Sequence, residues 1–176
     1  PLADGTEWQG YFYDVNLRPD CYNPGLVREL LATADVVKMN EDELEAIREI
    51  CDLPASNIKA SCEGAAERYG WRAVCVTLGD RGCAILLDGQ FEEAEGVPVR
   101  VVDTVGAGDA FAAAFLHGLT EGWQPKAIAE FSNRVGAIVA SQPGAIPNWN
   151  MDEVFALTGT DHGRKERDDQ REGRGR

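Results

Sequence analysis

Short apolar runs bounded by turn residues alternate along this chain with stretches whose apolar residues recur at helical spacing. A chain so patterned folds as α/β layers around a largely parallel sheet flanked by helices. The strand-type runs are residues 11–15 (YFYDV), 36–39, 73–78 (AVCVTL), 83–87, 91–95 and 97–102. The helical stretches are 24–34, with Pro24 in the first turn, 41–50, with apolar residues at 44, 47 and 50, and 56–69, capped by Ser56 or Asn57. Residues 108–120, 125–141 and 152–157 follow as three more. The Gly79–Gly82 turn and Asp88-Gly89 predict an antiparallel hairpin within the sheet. In such sheets ligands gather beyond the carboxyl ends of the strands, so the chemistry is sought there.

The 176 residues suffice for one domain. No apolar run approaches the length of a membrane-spanning helix. Lys plus Arg number 17 against 30 Asp plus Glu, a net charge of -13, which argues against nucleic acid or an anionic membrane as partner. The charge is uneven: residues 161–176 hold six basic and five acidic side chains and no large apolar residue. The reading is therefore a domain over 1–157 and a solvated, disordered charged tail over 158–176. Five cysteines (Cys21, Cys51, Cys62, Cys75 and Cys83) form no CxxC pair. Cys75 and Cys83 read as small core residues, and the usage suits a reducing cytoplasm rather than a disulfide framework or a zinc site.

The most informative segment is 103–116, DTVGAGDAFAAAFL, where a strand ends, a small-residue turn follows and an Ala-rich helix starts. Successive free N–H groups at such a helix start point at an anion, and Gly106 and Gly108 let the backbone come close to it. Asp109 falls in the first helical turn, where a carboxylate also serves as a cap stabilised by the dipole. The dinucleotide fingerprint fails because Phe111 stands at its third glycine, and GxxxxGK[ST] occurs nowhere. N–H groups that hold charge beside a carboxylate that takes a hydroxyl proton suit phosphoryl transfer to an alcohol, with a structural turn and cap as the alternative. Hydrolase chemistry is poorly served: the histidines are His117 and His162, and there is no GxSxG elbow.

Position by position, residues 103–116 resemble the second signature of the ribokinase/PfkB carbohydrate kinase family. The resemblance implies Asp109 as catalytic base and Gly106, Ala107 and Gly108 as the anion hole. Other pieces follow in the family's order. Asp14-Val15-Asn16-Leu17-Arg18 is similar to the DxNxR segment of fructokinase-like and keto-deoxygluconate-kinase-like members. Alternation along an extended chain would put Asp14, Asn16 and Arg18 on one side, with Arg18 offering charge to a phosphate or a sugar oxygen; a surface salt bridge is the alternative. Asn40-Glu41-Asp42-Glu43 fits the NxxE motif, which implies a pair organising Mg²⁺, waters and phosphates; a helix capping arrangement is compatible with that. Thr77-Leu78-Gly79-Asp80-Arg81-Gly82 resembles the TLGxxG nucleotide loop, with Thr77 and Gly79 near the ATP phosphates and Gly82 permitting the turn. Asn133 aligns with a position near the adenine, the alternative being a solvent-facing asparagine in mid-helix. Residues 141–145, with Gly144, resemble the loop that, with the Asp103 and Val105 carbonyls, holds a monovalent cation such as K⁺ in many members.

The resemblance covers about residues 10–157. It implies a ribokinase-like fold whose N-terminal half and β lid lie outside this sequence, residues 1–10 reading as the end of a preceding helix. The function implied is that of an ATP-dependent, Mg²⁺-using cytoplasmic sugar kinase acting on a fructose-like or keto-sugar-acid acceptor, whose complete form is a homodimer. This stretch alone is expected to be poorly active without a lid to exclude water. A nucleoside kinase of the same superfamily and a non-catalytic relative are the alternatives.

Overall fold

The computed structural model describes residues 10–18, 21–54 and 56–157. The residues read as a disordered tail, and those read as the end of a helix before residue 10, lie outside the described residues. Five strands form one sheet in the order β1 (Phe12–Asp14), β2 (Val36–Asn40), β3 (Ala73–Thr77), β4 (Gly82–Leu87) and β5 (Gln90–Glu95). β1, β2 and β3 run parallel, while β4 and β5 return antiparallel. The sheet is therefore mixed, and the hairpin expected at 79–89 supplies its antiparallel half.

Helices α1 (Pro24–Thr33), α2 (Glu41–Cys51) and α3 (Ile58–Tyr69) cover one face, and α4 (Ala107–Thr120) and α5 (Pro125–Ala140) cover the other. The short α6 (Met151–Ala156) closes against α5 through Val154. Alternation along the strands feeds both cores: Val37, Met39, Val74 and Val76 point to the first face, Val36, Ala73 and Cys75 to the second. Both faces are buried, which is why these strands read as continuous apolar runs. The helix starts are capped as their sequences demand: Asn23 accepts from the Gly25 and Leu26 amides, Asn57 from Ala60 and Asn150 from Glu153. Between Ser56 and Asn57, the latter supplies the cap. Gly118 lets α4 and α5 approach closely, since a Cβ there would lie 2.9 Å from Ile128 Cγ1.

One expected strand does not form. Residues 97–102 run as a loop, without a partner strand. Gly96 donates its N–H to Arg81 O, and Val102 and Asp103 donate theirs to Ala140 O at the end of α5. The chain thus leaves the sheet at β5 and crosses to α5, and its valines line a cavity instead of pairing.

Candidate functional site

The carboxyl ends of β1, β2 and β3 and the amino end of α4 lie toward one end of the domain, and the sequence-derived site residues fall on the segments that leave them. They form two corners and a cavity.

The first corner is the turn into α4. Gly106 has φ +82°, and a Cβ on it would lie 2.2 Å from Ala145 O, so the fold itself requires glycine there. Gly108 differs: its φ is ordinary and a Cβ would meet nothing within 4 Å. The missing side chain leaves space in the cavity that Gly108 lines. Ala107 turns its N–H to Thr104 O at 3.2 Å, whereas the amides of Gly106, Gly108 and Asp109 have no acceptor among the described residues. The free donors among the described residues are therefore Gly106, Gly108 and Asp109: two of the three expected, with Asp109 in the place of Ala107, whose N–H is spent on Thr104. The Asp109 side chain is exposed and takes no hydrogen bond or ion pair among the described residues.

Asp103 ties this turn to the loop after α5. Its Oδ1 accepts the Val105 N–H at 3.0 Å and its Oδ2 accepts the Gly144 N–H at 3.1 Å. These donors hold the Asp103 carboxyl below the usual aspartate range, Val105 first and Gly144 second. The three residues assigned to a monovalent cation are thus brought together, and the Asp103 and Val105 carbonyls accept no backbone hydrogen bond among the described residues.

The cavity measures about 640 Å³. Thr77, Gly79 and Gly82 line it from the turn between β3 and β4, Val97 and Val99 from the loop, and Asn133 from α5. The turn is a 3-10 segment over Gly79–Arg81, with Gly79 at φ +65° and Gly82 at φ +106°. Gly82 has no room for a side chain, because a Cβ would lie 2.0 Å from Ala94 O. Asn133 is buried rather than solvent-facing: its Nδ2 donates to Ala94 O at 3.2 Å and Glu95 O at 3.1 Å. Those bonds fix the β5 end against α5 and leave Oδ1 without a donor among the described residues. Gly136, Ala137 and Ala140 complete the small-residue wall on α5. They follow Asn133 at spacings of three, four and seven, a pattern visible in the sequence but not singled out there.

The second corner lies at the ends of β1 and β2. Asn40 Oδ1 accepts the Glu43 N–H and Glu43 Oε2 accepts the Asn40 N–H, both at 2.8 Å, a complete capping box. Glu43 Oε1 also accepts the Leu17 N–H at 3.0 Å. Tyr13 is pushed above the usual tyrosine range by burial and by the Glu43 charge. Asp14, expected to be a ligand contact, is gripped by Lys38 on β2, whose Nζ lies 3.0 and 2.9 Å from its two oxygens. Lys38 is buried, and sequence reasoning missed it; its signal was a lone lysine within VVKMN. The expected alternation of Asp14, Asn16 and Arg18 also fails. β1 ends at Asp14, and Asn16 adopts φ +44°, which breaks the extended period. Arg18 is exposed and forms no ion pair among the described residues. Among the described residues no group of three or more His, Cys, Asp or Glu side chains is placed to hold a metal ion, and no helix is long and apolar enough to cross a membrane.

Comparison with known proteins places this geometry. The family model described as "pfkB family carbohydrate kinase" matches residues 5–151. A fructokinase from Escherichia coli is 31% identical over 152 residues, covering 76% of this chain and 46% of that protein. The crystal structure of a Thermotoga maritima ribokinase superposes with a TM-score of 0.66 at 28% identity, over 83% of this chain and 48% of that one. A Vibrio cholerae fructokinase double mutant, solved with fructose, ADP and potassium ion, gives 0.66 at 25% identity over 83% and 49%. The chain spans about half the length of these relatives. The fold is ribokinase-like, and the chain belongs to the pfkB family of carbohydrate kinases.

Proposed function

We propose that this chain carries the nucleotide site and the catalytic base of an ATP-dependent sugar kinase. The enzyme transfers the γ-phosphoryl group to a primary hydroxyl of a fructose-like or keto-sugar-acid acceptor. One observation carries the reading: three amides, at Gly106, Gly108 and Asp109, and one carboxylate, at Asp109, without partners among the described residues, lie on a single turn beside a 640 Å³ cavity. Free donors and a free acceptor gathered on one turn are the groups an incoming anion and an incoming hydroxyl require.

In this reading the nucleoside occupies the cavity against Asn133 and the small-residue wall, and its phosphates run along the Thr77–Gly82 turn. The Asp109 carboxylate takes the proton of the acceptor hydroxyl as that oxygen bonds to the γ-phosphorus. The bond from phosphorus to the bridging oxygen breaks, and ADP leaves. The Gly106, Gly108 and Asp109 amides steady the charge on the transferring group. Mg²⁺, when bound, neutralises the phosphates. With no acidic cluster among the described residues to cage it, the metal would be held by phosphate oxygens and waters near the Asn40 and Glu43 corner. K⁺ would sit by Asp103, Val105 and Gly144, in keeping with the potassium ion of the Vibrio fructokinase crystals.

The test is a thermal melt of the full-length protein that carries this chain, with and without MgATP and with NADH as control. Ligand at about 100 times its dissociation constant adds about 2.7 kcal/mol and raises Tm by several degrees. A shift with MgATP and none with NADH is expected, followed by ADP release on a panel of ketoses, keto-sugar acids and nucleosides. A cooperative melt unmoved by MgATP overturns the reading.

A further inference from the structure

The turn between β3 and β4 that lines the cavity carries Arg81, whose side chain crosses to the other corner. Its Nη2 donates to Glu41 Oε2 in the first turn of α2, next to Asn40. The pair joins residues 40 positions apart and spans the gap between the Thr77–Gly82 turn and the Asn40 and Glu43 corner. In the kinase reading the phosphates run along that gap. The base of the Arg81 side chain is fixed: its N–H donates to Leu78 O at 3.3 Å and its carbonyl accepts the Gly96 N–H at 3.1 Å. The tip is not fixed in the same way. The side chains of Arg81 and Glu41 are 60% and 51% exposed, so water screens the pair and either partner can leave it at little cost. Glu41 does not depend on the arginine, because the start of a helix favours a carboxylate in its first turn.

A nucleotide, by contrast, needs a cation here. Among the described residues the cavity lining holds no lysine or arginine, and its one charged side chain is Asp80. The 176 residues carry a net charge of -13, so the wider surface offers a phosphate little help. Lys38, at the end of the neighbouring strand, is already gripped by Asp14. Arg81 stands two residues beyond Gly79, and its planar fork suits two oxygens of one phosphate. From this geometry we infer that Arg81 is a phosphate-binding residue of the nucleotide site and that Glu41 holds it when no nucleotide is bound, so that Glu41 and phosphate compete for one guanidinium. The inference deepens the kinase reading and rests on it for the ligand.

The experiment titrates MgATP calorimetrically into the full-length protein and into the variants Arg81→Gln, Glu41→Gln and Arg81→Gln/Glu41→Gln. Arg81→Gln raises Kd about tenfold, the scale of one lost charge-assisted hydrogen bond. Its Kd also rises less steeply with salt than the parent's, because one charge contact fewer is left to screen. Glu41→Gln acts in the opposite direction: it frees the arginine and lowers Kd about threefold. In the double variant most of that gain is lost, because there is no guanidinium left to free. A pair that merely braced the turn gives a different pattern. Losing either partner would then loosen the turn, so Arg81→Gln and Glu41→Gln would weaken MgATP alike and keep the parent's salt dependence. That pattern overturns the inference, as does an unchanged Kd in Arg81→Gln. The parent's own titration separates this failure from that of the kinase reading. A parent that binds MgATP beside an indifferent Arg81→Gln leaves the kinase reading standing and sinks only the role of Arg81, whereas a parent that binds no MgATP sinks both.

Discussion

At the ends of β1 and β2 three of the polar side chains that the sequence singles out have partners within the fold: Asn40 and Glu43 cap each other, Glu43 also holds Leu17, and Asp14 is gripped by Lys38. At the start of α4 the reverse holds, with the Gly106, Gly108 and Asp109 amides and the Asp109 carboxylate all unspent among the described residues. The two corners stand at the same end of one domain and both carry a carboxylate in the first turn of a helix. In one the carboxylate holds backbone amides; in the other it is left to solvent. The contrast teaches how to separate geometry-keeping groups from reacting ones: the first cost stability when removed, the second cost turnover.

The largest effect expected from that contrast is at Asp109. Asp109→Ala in the full-length protein should lower turnover by about 10²–10⁴, the scale of a lost general base. Its side chain is exposed and bonds to nothing described, so stability should change by no more than a surface substitution changes it, about 0.5 kcal/mol, with a correspondingly small shift in Tm. Steady-state kinetics beside a melt checks both halves. Near-normal turnover, or a large fall in Tm, would erase the distinction between the corners.

Lys38 is the counterpart. Its side chain is 9% exposed and that of Asp14 19%. Removing one member of such a pair strands the other, at a cost of about 3–5 kcal/mol. Lys38→Met should therefore shift the denaturation midpoint strongly, and Lys38→Met/Asp14→Leu should recover most of the loss. If Lys38→Met is as stable as the parent, the pair is not structural and Asp14 returns as a candidate ligand contact.

This pair also marks where sequence reading stops. The two cores were legible, because alternation in a sheet buried on both faces leaves unbroken apolar runs, and so was the 103–116 segment, because glycine turns announce themselves. The Lys38–Asp14 and Glu43–Leu17 contacts were not, since each joins residues more than 20 positions apart through side chains whose local pattern suits solvent equally well. The 97–102 run misled for a related reason. Its valines satisfy the strand pattern, but the chain crosses there from β5 to the end of α5, where Val102 bonds Ala140 O, and Val97, Val99 and Val101 line a cavity.

The glycines sharpen the comparison within a single turn. Gly106→Ala must strain a φ of +82° and displace Ala145, so it should cost about 1–3 kcal/mol of stability and abolish the MgATP shift along with it. Gly108→Ala faces neither problem. An alanine in the first turn of α4 should be neutral or up to about 1 kcal/mol stabilising. Its methyl enters the cavity, so MgATP affinity should fall by about tenfold, or 1.4 kcal/mol. Calorimetric titration of MgATP into both variants checks this. An unchanged affinity in Gly108→Ala would mean that the open space beside this turn is not where the nucleotide lies.

The smallest expected effect is at Asp103, which belongs to neither corner alone because it ties the α4 turn to the loop at Gly144. The Val105 and Gly144 amides hold its carboxyl below the ordinary value of 3.8, so above that pH the tie contributes in full. As the pH falls from there toward the lowered value, the unfolded chain takes up the proton first and the contribution drains away. Asp103→Asn cannot titrate and offers one acceptor where two are used. Its Tm should lie slightly below that of the parent at neutral pH, and the gap should close as melts are carried below pH 3.8. The site is solvent-exposed, so the gap is small, and the Gly144 amide gives a more sensitive reading through faster exchange in the variant. Parallel Tm curves with unchanged exchange at Gly144 would show that the loop holds its place without Asp103, leaving the free groups of the α4 turn to be positioned by the Gly106–Ala145 contact alone.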